Sequence, residues 1–171
     1  MNNTILSILL TIMFFTFEII ASIQDIKTKK VKNYCHYIPI IVFSICLIFS
    51  VCFRVLSIKD LVALLLLVGF CVITKNTRGG ADTDSMITYI MYVFSVLIGT
   101  DTDKTDQSFR LEIGTEDKVL LILITFFIST VLQGIYQFIH RIRTKQKEKL
   151  PYMPALTASY LLTLFLCLFR F

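Results

Sequence analysis

Polar and apolar residues segregate into long blocks along this chain. Tyr34 to Phe53 runs twenty residues without Asp, Glu, Lys or Arg, and Val119 to Ile139 runs twenty-one. After Leu150 a mostly apolar stretch, with prolines near its start, continues uncharged to Phe169. Runs of this length suit helices that cross the hydrocarbon core of a bilayer, which takes about 20 helical residues. The same reading predicts six spans over the whole chain, at 4–23, 34–54, 58–74, 84–100, 118–140 and 151–170. The third and fourth are the shortest, and the hydrophilic segment Lys75 to Asp84 joins them. Asp101 to Asp117 is the one stretch polar enough to stand clear of the membrane, and it is too short to be a domain. The expected architecture is all-α: one integral membrane domain over residues 1–171, folded as a bundle of about six transmembrane helices.

Composition agrees with that pattern. The chain is 56% hydrophobic and 17% charged, against about a quarter charged in soluble domains. Met1 to Ile23 has the length of a secretory signal, but no Lys or Arg precedes its apolar stretch and no strong cleavage site follows it. The basic cluster comes afterwards, which suits a retained first helix. The five cysteines (Cys35, Cys46, Cys52, Cys71 and Cys167) form no CxxC pair, so neither a zinc site nor a disulfide framework is expected.

Charge predicts the orientation. Lys27, Lys29, Lys30, Lys32, Lys75, Arg78, Arg141, Arg143, Lys145, Lys147 and Lys149 fall in loops on one side; Arg54, Lys59, Lys104, Arg110, Lys118 and Arg170 fall on the other. Eleven against six puts the first set in the cytoplasm and both chain ends outside. The expected location is the cell membrane, as a multi-pass protein. The net charge of +5 then reflects a basic face toward anionic lipid headgroups, and no nucleic-acid partner is expected.

Carboxylates are few in such a chain, so their positions carry information. Asp25 ends the first span, and Asp82 opens the fourth, after Arg78-Gly79-Gly80-Ala81. The predicted topology puts both at the same depth on the cytoplasmic side. Two aspartates held close share a proton, so one acts as base and the other as acid. The base takes a proton from water as it attacks a peptide carbonyl, and the acid donates to the departing amine. Gly79-Gly80 would supply a flexible turn that admits another chain closely. The plainer alternative is helix capping, by Asp82 or equally by Asp84. Glu18, seven residues before Asp25, is expected to be protonated and bonded to a partner such as Gln133, while His36 and His140 are expected at the membrane interface. Asp82-Thr-Asp84 and Asp101-Thr-Asp103 have the spacing of a metal–nucleotide clamp but no supporting ligands, so neither a metal nor another cofactor is expected.

Three segments together resemble the prepilin peptidase family. Asp25-Ile-Lys-Thr-Lys-Lys-Val-Lys-Asn33 is similar to its first aspartate motif, and Gly79-Gly80-Ala81-Asp82 to its Gly-x-Gly-Asp motif in the Ala-containing archaeal form. Leu150-Pro-Tyr-Met-Pro-Ala-Leu-Thr157 resembles the Pro-containing approach to its last helix. The resemblance implies a membrane-embedded aspartic endopeptidase with Asp25 and Asp82 as the catalytic pair. Such an enzyme removes short basic leaders from type IV pilin-like or archaellin-like precursors at the cytoplasmic face. The chain departs from the family at Ala81, and at Asp84, where many members carry Lys. It also lacks the cysteine-rich insert and any nucleotide or methyl-donor motif, so a short, cleavage-only enzyme is implied. Two other functions compete: a small proton- or cation-coupled transporter using Glu18, Asp25 and Asp82, and a non-catalytic relative that binds pilin-like helices.

Overall fold

The computed structural model describes residues 3–53, 56–75, 80–96, 114–144 and 151–169. These residues form six helices and no strand: α1 (Asn3–Thr28), α2 (Tyr34–Cys52), α3 (Ile58–Ile73), α4 (Gly80–Val96), α5 (Thr115–Thr144) and α6 (Met153–Phe169). Ile5–Thr28, Tyr34–Cys52 and Thr115–His140 are each long and apolar enough to cross a membrane, and Met153–Leu166 is a shorter apolar helix. The protein is an all-α membrane protein.

α1, α4 and α5 extend beyond a boundary predicted from hydropathy, whereas α2, α3 and α6 keep within theirs. α1 continues past residue 23 to Thr28, and Lys29 ends it with a positive φ of 53°, a conformation common just past helix ends. Gln24 in that polar tail accepts from the Lys32 backbone N–H and donates to the Tyr34 hydroxyl, each at 3.0 Å. It thereby ties the turn to the start of α2. α3 opens with a capping box between Ser57 and Asp60, which satisfies two otherwise free N–H groups. α4 begins at Gly80, four residues before the predicted start, so the joint from Lys75 to Asp84 is partly helix. Pro154 sits in the first turn of α6, where its missing N–H costs nothing.

α4 is the axis of the bundle. Met86, Tyr89, Ile90, Tyr92, Val93 and Phe94 are all buried, and each of the other five helices touches it. Aromatic rings fill the centre: Phe14 stacks on Tyr92 with centroids 4.6 Å apart, and Tyr89 stacks on Tyr160 at 4.3 Å. Hydroxyl groups link the helices around them, with Tyr89 to Thr125 and Thr125 to Thr163 each at 3.0 Å. The outer surface is apolar; Leu66 and Phe127 are 70% and 71% exposed. Lipid is as apolar as these side chains, so helix association depends on close packing and on buried hydrogen bonds.

Successive helices run antiparallel, and side-chain pairs set the register. Thr11 Oγ1 lies 3.2 Å from the Tyr92 hydroxyl, and Ser85 Oγ donates to Glu18 Oε2 at 2.8 Å. Seven residues along α1 therefore match seven residues back along α4. α1 and α6 are joined in the same sense by Ser22 and Thr157 at 2.6 Å. At the opposite end, Asp60 of α3 accepts from Lys118 Nζ at 3.3 Å and from Thr115 Oγ1 at 2.9 Å, both on α5.

Candidate active site

The antiparallel order brings the end of α1, the starts of α2, α4 and α6, and the segment just past α3 to one end of the bundle. Asp25, Tyr34, Asp82, Met153 and Lys75 belong to that end, and Asp60 and Lys118 to the other. Asp25 and Asp82 are both partly buried there.

The register of α1 against α4 locates the two aspartates more closely. If Glu18 is level with Ser85, Asp82 is level with Ala21. Asp25 then stands one turn further out, an axial offset of about 6 Å. Ala21 is fully buried. Every Cα–Cβ bond in a helix tilts toward that helix's own N-terminus. On antiparallel helices this leans Asp25 inward and Asp82 outward, so the tilt narrows the offset between them.

Both carboxylates also meet helix N-termini. The backbone N–H of Met153, the first residue of α6, donates to Asp25 Oδ2 at 3.1 Å. Asp82 occupies the first turn of α4, where unpaired N–H groups and the helix dipole favour negative charge. A water molecule reaching this end of the bundle would therefore meet two carboxylates, each beside a helix N-terminus.

Neighbouring residues differ from the sequence expectations in several respects. Asp84 lies in the second turn of α4, too deep to cap it, and its Oδ1 pairs instead with Lys75 Nζ at 3.8 Å. Gly80 is helical, and a Cβ added there would meet only the Lys75 side chain, at 3.9 Å. The expected close approach is therefore not made at Gly80, while Arg78 and Gly79 lie outside the described residues. Glu18 is buried and its carboxyl accepts from Ser85; His36 Nδ1 lies 3.9 Å from Glu18 Oε1, beyond hydrogen-bond range, and neither imidazole nitrogen has a hydrogen-bond partner. Gln133 is not bonded to Glu18. His36 is 2% exposed and sits inside the bundle, away from the expected interface. His140 is partly buried. Lys118 is likewise no loop charge, being 3% exposed and paired with Asp60.

Cys35 and Cys71 are buried, Cys46 is partly buried and Cys52 is exposed, all as free thiols. The side chains of Arg141, Arg143 and Cys167, and the segments 54–55, 97–113, 145–150 and 170–171, lie outside the description. That excludes Asp101, Asp103 and most of the acidic loop.

Sequence reasoning missed the Asp25 to Met153 bond, the Glu18–His36 pair and the role of Asp60. A polar residue isolated in an apolar run was the available signal for Glu18, and Ser57-x-x-Asp60 was the signal for the cap. Nothing in the sequence pairs Asp25 with α6. Compared with known proteins, the chain matches no family model, no characterised relative and no solved structure.

Proposed function

We propose that this protein is a membrane-embedded aspartic endopeptidase resembling the prepilin peptidases, with Asp25 and Asp82 as its catalytic pair. In this reading one carboxylate is ionised and takes a proton from the attacking water. The other is protonated and donates to the carbonyl oxygen as the tetrahedral intermediate forms. On collapse the proton taken from water passes to the leaving amine and the hydroxyl returns its proton to the second carboxylate, which restores the pair. Substrates are type IV pilin-like or archaellin-like precursors, whose basic leader stays in the cytoplasm because positive charge resists translocation.

The observation that carries the reading is the shared end of α1 and α4. Their register, set by Thr11–Tyr92 and Glu18–Ser85, leaves the two aspartates about one helical turn apart in depth. Orientation supports it as well. The aspartate end carries Lys27, Lys29, Lys30 and Lys32, whereas the buried Lys118–Asp60 pair removes one cation from the opposite loops. Under the positive-inside rule the active site faces the cytoplasm and the chain is multi-pass.

The decisive experiment is cleavage of a precursor with a basic leader and an apolar helix, using membranes that contain the wild-type chain. Cleavage is expected, and its loss in both D25N and D82N supports the pair. No cleavage by wild type across pilin-like precursors refutes the reading. One observation favours a second reading: the Glu18–His36 pair is an intramembrane ionisable site, which often marks a proton path. Proton flux through purified chain in proteoliposomes, abolished by E18Q, would establish that alternative.

A further inference from the structure

Three helices meet at a hydrogen-bonded node inside the bundle. Ser85 of α4 donates to Glu18 Oε2 of α1 at 2.8 Å, and its Oγ lies 3.2 Å from the Tyr160 hydroxyl of α6. All three residues are at most 1% exposed. Ser85 has a single hydroxyl hydrogen, which Glu18 takes, so Tyr160 donates to Ser85. The carboxyl group thus ends a chain of two hydroxyl donors. A carboxyl is costly to bury, and an apolar side chain would serve packing alone; the best-attested use of such a group is to fix register.

From this node the same helix faces lead outward to the aspartates. Glu18, Ser22 and Asp25 follow one another on α1 by four and three residues, and Met153, Thr157 and Tyr160 do so on α6. Asp82, Ser85 and Tyr89 follow by three and four on α4. Such spacing keeps each set on one face. α1 and α6 are pinned along theirs by Ser22 to Thr157 at 2.6 Å and by Asp25 to the Met153 N–H at 3.1 Å. α4 joins them at the innermost rung through Ser85, and one turn deeper Tyr89 stacks on Tyr160. Asp82 shares that face, so it is turned toward α1 and α6 at the end where Asp25 stands.

We propose that Glu18 is a positioning residue for the aspartate pair: through Ser85 it fixes the rotation of α4 that aims Asp82 toward Asp25. The inference rests on the peptidase reading for the reaction that this placement serves. Side chains reach about 5–6 Å from a helix axis, so turning α4 by about 20° carries the Asp82 carboxyl about 2 Å sideways. A misplacement of about 1 Å can already cost about 10²-fold in rate.

The test compares E18L, E18Q and Y160F in the full-length chain. E18L removes the acceptor, E18Q keeps one in the same shape, and Y160F removes one donor while keeping a ring against Tyr89. With a precursor carrying a basic leader and one apolar helix, E18L should lower kcat by about 10²-fold with KM little changed. E18Q should restore most of that activity. Each substitution is also placed in a D25C/D82C chain lacking the five native cysteines, where the rate at which a short bis-thiosulfonate joins positions 25 and 82 reads placement without requiring cleavage. Joining should slow markedly in E18L, less in Y160F, and stay close to the parent rate in E18Q. Parent-like joining in E18L overturns the proposal, as does E18Q failing as E18L does. If E18L does not fold, Y160F decides: parent-like kcat and joining there overturn the proposal, and a loss in both supports it. Wild-type cleavage with joining indifferent to Glu18 defeats the positioning role but not the peptidase. Joining that depends on Glu18 without wild-type cleavage defeats the peptidase but not the positioning role.

Discussion

Asp25 has two separable roles, and substitution can divide them. Its carboxylate accepts the Met153 N–H at the start of α6, which is a cap supplied from another helix. Asp25→Ala removes that acceptor, at a cost of about 1 kcal/mol, as for other lost caps. Asp25→Asn keeps an acceptor and loses only the charge facing the helix dipole, about 0.3–1 kcal/mol. Neither loss empties the folded state of a protein stable by about 5–15 kcal/mol. Proton transfer by a positioned side chain, in contrast, contributes about 10²–10⁴-fold to rate, and Asn cannot perform it. D25N is therefore expected to insert, express and melt close to wild type while its precursor cleavage falls by at least the lower of those factors. Thermal unfolding in detergent and cleavage of one precursor should be measured on the same preparations. D25N retaining most of its activity would refute the catalytic assignment. D25A melting with wild type would refute the capping role.

Asp84→Asn should reduce cleavage only modestly, because it breaks the exposed pair with Lys75, worth about 0–1 kcal/mol; a loss as complete as that of D82N would make Asp84 a required carboxylate. Lys118→Met should lower the melting temperature, since it leaves the buried Asp60 charge supported only by Ser57 and Thr115. Breaking a buried pair costs about 3–5 kcal/mol, with the remaining donors favouring the lower figure. The double variant D60N/K118M should recover part of the loss, and strict additivity in the melting temperatures would show that the two residues are not coupled. For sidedness, single cysteines replacing exposed Thr28 and Lys59 in a background without the five native cysteines should react oppositely with an impermeant thiol reagent on intact cells. Label at position 59 with protection at 28 is expected; the reverse would put Asp25 outside and remove the peptidase reading.

The all-α membrane class was legible in the sequence because the bilayer demands long uncharged runs, and such runs need no knowledge of tertiary contacts. α3 also follows its apolar block closely, starting at Ile58 after a capping box formed by nearby residues. Asp25 and Asp82 could be singled out for a similar reason: charge is rare in this chain, and spacing along it already put both on one side. Helix ends were less legible. Gln24 to Thr28 and Gly80 to Thr83 include polar residues that hydropathy leaves out of the spans, yet both segments are helical, and Gln24 finds partners at Lys32 and Tyr34.

Only the tertiary structure decided what lies inside. α4 carries Thr83, Ser85 and Thr88, which weaken its signal as a span, yet it is the central helix because the other five shield it from lipid. Glu18 meets His36 and Ser85, and Asp60 meets Lys118, across separations that no local pattern encodes. A buried charge or polar group must find a partner somewhere in the fold. The sequence shows that the partner is needed, and the packing of α1 on α4 and of α3 on α5 determines which residue fills the role.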